Sequence, residues 1–379
     1  MSIKEKISAS IILSSYLDTL GSYNGNFEFN FGKVATNNMQ ASAVNYEILH
    51  LFFALGGFSK IDLTNLKSSD DSIMMIATGV ALLLGGKEIN FIEEYLKIFD
   101  LLKEKDRYPG ITTMNSLEFI RTNRSINKLK YDKNLMGGNG AAMRTGIIGI
   151  ILHKEEDIEN VIKFSITASR VTHNTTLGFL GGLVSALFAN FGMREIHFLD
   201  WFEELFKLEK KIDKYMETTN IYNQYMEDKE FYFDSLKDYK EKKIDKYLLN
   251  PRSFQIFNDR IESLRQYNDY GNNYGKGDSK MDFFGASGLS SIIVAYDSIL
   301  MSHRSKEYPF EKEKLEVSLD SFIFYSTLHF GDSDTTGAIA GIFFGSIYGF
   351  KDFDSSKIEQ LEFKNQINEL IQLIEKAVF

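Results

Sequence analysis

The stretch "HFGDSDTTGAIAGIFFGSIYG", residues 329–349, decides the fold. Gly337, Gly341, Gly345 and Gly349 occupy every fourth position of a run otherwise made mostly of apolar residues. Inside a helix each glycine costs about 1 kcal/mol relative to alanine. A repeat at i, i+4 lines these residues along one side of a helix, and close approach of a neighbouring backbone is what offsets the cost. The apolar run from Gly337 to Phe350 is shorter than the roughly 20 residues a bilayer span needs. The spacing therefore predicts a buried core helix.

The rest of the chain points the same way. Only Pro109, Pro251 and Pro309 interrupt 379 residues, so helix is the default state. Apolar residues recur at helical spacing in 44–57, 73–85, 92–103, 146–152, 161–168, 176–190, 199–212, 290–301, 317–328 and 361–377. No set of segments sustains strand-like alternation, and 27–31 is merely a short run that an extended chain would also suit. Residues 207–246, rich in Lys, Glu, Asp and Tyr, read as long solvated helices without a site role. Residues 267–282, "YNDYGNNYGKGDSKMD", read as a long loop. The expectation is an all-α protein with one many-helix domain over 1–379.

Composition narrows the function. A hydrophobic content of 44% supports a large core. The net charge of −9, from 43 basic and 52 acidic residues, argues against a nucleic-acid partner. Cysteine is absent, which excludes disulfides, zinc–thiolate centres and thiol nucleophiles, so any metal must sit on oxygen or histidine. The apolar N-terminal stretch is too short and interrupted for a signal peptide. A soluble, cytoplasmic monomer with no membrane role is expected.

Polar residues stand directly before the glycine-striped helix: Asp332, Ser333, Asp334, Thr335 and Thr336. One such residue is explained by N-capping. A row of five also suits a hard cation held by oxygen, as Mg²⁺ is. A second acidic cluster, Ser68, Ser69, Asp70, Asp71 and Ser72, precedes another apolar helix. Here too capping and dipole matching compete with metal binding. Adjacent aspartates repel, and two such clusters facing each other would be relieved by cations between them.

Five segments in order give the chain its resemblance to a known family: "LDTLGSYNGNFEF" (17–29), "SSDDSIMMIATGVAL" (68–82), "GGNGAAMRTGIIGI" (137–150), "SRVTHNTTLGFLGGLVSALFA" (169–189) and "GDSDTTGAIAGIFFGSIYG" (331–349). Together they resemble the ADP-ribosylglycohydrolase superfamily, and within it the ADP-ribosylarginine hydrolases. The resemblance implies an all-α domain around two Mg²⁺ ions, with Ser69, Asp70, Asp71, Asp332, Asp334 and Thr335 as ligands. It also implies Asp70 and Asp71 as the carboxylates that assist opening of the glycosidic bond, with Glu28 on a loop over it. Asn139, Gly140 and Met143 would hold the phosphates and proximal ribose of ADP-ribose. Arg144 would buttress that loop or offset phosphate charge, and His173 would shape the ribose pocket. Ser287 and Gly288 would border the nucleotide. Asp18 matches the family's Gly-Asp element, with Leu17 in place of the glycine, and would support the site from behind.

One departure bears on specificity. Where arginine-specific members carry a Gly-His-Asp element, this chain has Gly288, Leu289 and Ser290. The implied activity is Mg²⁺-dependent release of ADP-ribose from a mono-ADP-ribosylated protein side chain, with arginine first. Another linkage (serine, poly(ADP-ribose) or O-acetyl-ADP-ribose), or ADP-ribose binding without turnover, stays open on the sequence.

Overall fold

The computed structural model describes residues 1–28, 38–133, 135–246, 264, 266–268, 284–305 and 315–378. In chain order the principal helices are α1 (Ile3–Ser22), α2 (Asn38–Ala54), α3 (Asp70–Leu83), α4 (Glu88–Lys97), α5 (Ile111–Asn123), α6 (Ala142–Ile151), α7 (Ile158–Arg170), α8 (Thr176–Met193), α9 (Tyr222–Tyr239), α10 (Ser290–Ser302), α11 (Leu319–Thr327), α12 (Ser333–Tyr348) and α13 (Lys364–Val378). A two-stranded antiparallel sheet, β1 (His303–Ser305) with β2 (Leu315–Val317), pairs His303 with Val317. Its strands of three residues are too short to leave an alternating pattern in the sequence.

The glycine stripe of α12 lies against the backbone of α1. A Cβ on Gly341 would sit 2.6 Å from the Leu13 carbonyl oxygen, and one on Gly337 would sit 2.9 Å from that of Leu17. A Cβ on Gly345 would strike the Ser10 backbone. Rising numbers on α12 meet falling numbers on α1, so the helices are antiparallel. The end of α1 thereby reaches the start of α12, where the Ser333 hydroxyl donates to the Gly21 carbonyl at 2.8 Å.

Around this pair the core is closed by α8, every residue of which is buried. By length and composition α8 is apolar enough to cross a membrane, yet the whole helix lies inside the protein. One end of the core is filled by aromatic rings: Phe188 of α8 contacts Trp201, Phe202, Tyr296 and Phe343, with ring centroids 5.2–5.8 Å apart. Trp201 donates its indole N–H to Ile196 O and Tyr296 its hydroxyl to Phe198 O, each at 2.9 Å, so both polar tips are satisfied.

Helix boundaries differ from the periodicity where backbone chemistry intervenes. The 44–57 pattern stops at Ala54 because Gly56 and Gly57 follow at φ +113° and +60°. The 92–103 pattern ends as helix at Lys97, and 199–212 divides into Trp201–Lys207 and Glu209–Met216. Polar α5 carries too few apolar residues to stand out in the sequence. The segment 207–246 needs correction as well. Its helices are not simply solvated, since Tyr225, Tyr232, Phe233, Leu236 and Tyr239 are buried beneath the charged face. Residues 29–31 and 269–282, read above as a short apolar run and a loop, lie outside the described residues.

The helix contact sets a quantitative expectation. Gly341→Val should lower unfolding free energy by about 3 kcal/mol through overpacking against Leu13, against about 1 kcal/mol for the neighbouring trim Ile342→Val. Urea denaturation midpoints check this, and similar losses in both variants would contradict the close approach.

Candidate active site

Three helix starts and one helix end converge on one cavity of about 320 Å³. Its acidic floor comprises Asp70 and Asp71 from the first turn of α3 and Asp332, Asp334 and Thr335 from the start of α12. The clusters therefore begin their helices instead of merely preceding them: Ser69 caps α3 and Asp332 stands at the cap of α12. The glycine-rich loop 137–140 and Met143, at the start of α6, form one wall with His173. Glu28, six residues beyond the end of α1, and Tyr108 also line the cavity.

Asp18 connects the helices. Its Oδ1 accepts the Ser69 N–H at 3.1 Å and the Ser69 hydroxyl at 2.7 Å. Its Oδ2 accepts the Ser72 N–H at 3.1 Å and the Ser72 hydroxyl. Four donors on one buried carboxylate fasten the first turn of α3 to α1. The Ser69 hydroxyl also lies 3.0 Å from Asp71 Oδ2 and accepts the Asp71 N–H at 3.2 Å. Thr335 donates its hydroxyl to the same Asp71 oxygen at 3.3 Å, which joins the two acidic clusters across the cavity.

Carboxylate oxygens of Asp18, Asp71 and Asp334 lie within 4.8 Å of one another, as do those of Glu28, Asp332 and Asp334. Asp334 belongs to both groups. Asp71 Oδ1 and Asp332 Oδ1 are buried with no hydrogen-bond partner. Buried polar atoms are normally satisfied, and buried charges are paired or bind metal. The donor set is all oxygen, as a hard cation requires. The residues present thus fit a metal centre.

Burial drives every carboxyl of the cluster above its ordinary range. Asp70, Asp71, Asp334 and Glu28 are raised well above it, first by desolvation and then by their acidic neighbours. Asp18 and Asp332 are also raised by burial, against the hydrogen bonds that favour their ionised forms. A carboxyl raised in the folded state contributes stability at low pH that is lost as pH climbs through its folded value. A cation opposes that loss by replacing the protons.

The glycine-rich wall is held from behind. Asn139 donates its amide to Asp332 Oδ2 at 2.9 Å and to Gly285 O at 3.0 Å, and its N–H meets Ala286 O at 3.0 Å. Gly140 must be glycine, because a Cβ there would fall 2.6 Å from Cε1 of His173. That ring is buried, with Nδ1 2.8 Å from Thr172 Oγ1. Burial and the nearby Arg144 push its pKa down to about 3, so it is neutral at physiological pH. Arg144 is itself buried and donates to Gly140 O at 2.6 Å, Ala168 O at 3.0 Å and Thr172 Oγ1 at 2.7 Å. Of the two roles open to it on the sequence, the geometry selects the buttress.

The structure brings Glu28, Asp70, Asp71, Asn139, Gly140, Met143, His173, Asp332, Asp334 and Thr335 to the cavity wall. Ser69 stands behind them, with its hydroxyl turned to Asp18 and Asp71. Ser287 and Gly288 are not brought in. Ala286 is the residue of that turn on the wall, whereas the Ser287 hydroxyl pairs with Ser290 at 2.9 Å and Gly288 packs against α8. Leu289 is buried too. Asp18, read from the sequence as a support behind the site, fastens α3 from there, and its carboxylate also lies within 4.8 Å of those of Asp71 and Asp334. Tyr108 and Thr113 also line the cavity, and neither belongs to a segment that stood out in the sequence.

Two outcomes follow from this geometry. Asp18→Asn cannot accept all four serine donors, and its affinity for a divalent cation in calorimetric titration should fall by about 10–100-fold. Unchanged affinity would contradict the fastening role of Asp18. Because cation and protons compete for the cluster, the melting-temperature gain from a saturating divalent cation should be larger near about pH 8 than near about pH 5.5. Equal gains at the two pH values would contradict that competition.

Comparison with known proteins agrees with the geometry. The family model for ADP-ribosylglycohydrolase matches residues 2–378. A protein of Acanthamoeba polyphaga mimivirus named as an ADP-ribosyl glycohydrolase is 33% identical over 374 residues, covering 94% of this chain and 67% of its own. ADP-ribosylhydrolase ARH1 of Dictyostelium discoideum is 31% identical over 395 residues, covering 98% and 94% respectively. A solved ADP-ribosylglycohydrolase-related protein complex shares the fold with a TM-score of 0.56 at 13% identity, covering 100% of this chain and 99% of that one. The acidic floor, the glycine-rich wall and a family match running almost from end to end lead to one assignment: the chain belongs to the ADP-ribosylglycohydrolase family.

Proposed function

We propose that the protein is a Mg²⁺-dependent hydrolase that releases ADP-ribose from mono-ADP-ribosylated protein side chains, with arginine as the first acceptor to test. The observation that carries this reading is the pair of buried, unpartnered oxygens, Asp71 Oδ1 and Asp332 Oδ1, in a cluster made only of oxygen donors. Asp70, Asp71, Asp332, Asp334 and Thr335 would hold two Mg²⁺ ions, with Ser69 orienting Asp71. When bound, such ions polarise sugar hydroxyls and activate a water at neutral pH.

The chain's own residues supply the rest. Backbone N–H groups near the start of α6 and along loop 137–140 suit a diphosphate, which a helix N-terminus attracts. Neutral His173 and Thr113 border the same wall without adding charge. Breaking a glycosidic bond builds positive charge on the anomeric carbon. Asp70 and Asp71 put negative charge where that centre would lie. Glu28, half-buried on the cavity wall beside Asp332 and Asp334, is the carboxyl assigned to proton transfer with the departing side chain. As part of this proposal the enzyme works as a cytoplasmic monomer.

The replaced Gly-His-Asp element keeps the acceptor open, since Leu289 and Ser290 are buried and add no charge to the cavity. Purified protein with Mg²⁺ should release free ADP-ribose from an ADP-ribosylated arginine peptide. Asp71→Ala and Asp334→Ala should each lower the rate by at least about 100-fold. Wild-type rates in both variants would remove the mechanism. Faster turnover of serine-linked, polymeric or O-acetyl substrates in the same assay would reassign the linkage, and ADP-ribose binding with no turnover of any of them would overturn the hydrolase reading.

A further inference from the structure

We infer that Tyr108 is a positioning residue that latches the turn carrying Glu28 to the acidic turn of α3, a role resting on the proposed hydrolase reading only for its catalytic consequence. Three successive residues after α1, Tyr23, Asn24 and Gly25, have φ of +43°, +53° and +79°. Side-chain-bearing residues pay about 1–2 kcal/mol each for this conformation, so something outside the turn must hold it.

Two contacts do so. Asn24 Oδ1 accepts the Lys67 N–H at 2.9 Å, and Asn24 O accepts the Tyr108 hydroxyl at 3.1 Å. The same hydroxyl lies 3.1 Å from Asp106 Oδ1, so its one proton is shared between the two acceptors. It rests so close over Gly25 that a Cβ there would lie 2.6 Å from it. Tyr108 and Asp106 are themselves at φ +52° and +67°, so the latch is strained on both sides. Beyond Gly25, buried Phe27 stacks on Tyr23 with centroids 4.9 Å apart, and Glu28 then enters the cavity.

The residue before Tyr108 grips the other acidic turn. Arg107 donates to Ser68 O at 2.9 Å, and its carbonyl accepts the Asp70 N–H at 3.0 Å. Arg107 is fixed in turn by Glu362 at 2.6 and 2.9 Å. Adjacent residues of one short strap therefore hold the start of α3 and the Glu28 turn. The strap sets where Glu28 stands relative to Asp70 on the cavity wall, a placement on which the orientation of a bound substrate depends.

Tyr108→Phe removes only the hydroxyl and keeps the ring on the cavity wall. Hydrogen exchange of the Asn26 and Phe27 amides should accelerate by about tenfold or more, with the Asp70 and Asp71 amides unchanged. On the substrate that wild type turns over, kcat should fall by about five- to twentyfold with KM within about twofold, as expected when a reacting group is misplaced and binding is kept. Unchanged exchange at Asn26 and Phe27 overturns the latch, as does loosening of both turns together. Faster exchange with unaltered kcat overturns the positioning role. If wild type releases no ADP-ribose, the hydrolase reading falls, and the exchange comparison still decides the latch.

Discussion

Backbone contact between α1 and α12 is the constraint on which the site depends. Glycine at 337, 341 and 345 lets the two helix axes come close, and their antiparallel direction sends the end of one to the start of the other. Asp18 near the end of α1 then reaches the first turn of α3 through Ser69 and Ser72, while Asp332 and Asp334 enter from α12. Carboxylates from distant parts of the sequence meet because of a packing contact that contains no charge at all.

Packing of this kind imposes electrostatic repulsion, which among the described residues Arg144 offsets only in part, at Asp70. Arg144 is the buried cation on the glycine-rich side, and its hydrogen bonds go to carbonyl and hydroxyl oxygens and to none of the carboxylates. The acidic side chains pair with serine, threonine and asparagine, donors that fix orientation without neutralising charge. Protons or metal ions must supply the balance. The same serine and asparagine contacts occupy the other oxygens and leave Asp71 Oδ1 and Asp332 Oδ1 buried without a hydrogen-bond partner.

Much of this was legible in the sequence because its signals are periodic or dense. The glycine repeat announced close helix packing, and the two Ser/Asp/Thr runs announced the acidic helix starts. What escaped is non-periodic. Asp18 reads as a supporting residue, but the four donors it gathers lie about fifty positions away and nothing in the sequence names them. Tyr108 carries no signal, because its role rests on positive φ values and on a carbonyl that only the fold brings near. Ser287 and Gly288 look like a nucleotide-contacting turn, but the bridge between Gly138 and Ser287 turns them to the back of the wall and leaves Ala286 in front. Solvated as the 207–246 segment seemed, spaced tyrosines give its helices a buried face.

Anomalous diffraction from crystals soaked in Mn²⁺, a hard divalent stand-in for Mg²⁺, addresses the central claim most directly. The expected result is density between the starts of α3 and α12, within about 2.0–2.4 Å of Asp71 Oδ1 and Asp332 Oδ1. An empty cavity at saturating Mn²⁺, or ions bound only elsewhere, would contradict the claim that these two helix starts were built to share metal.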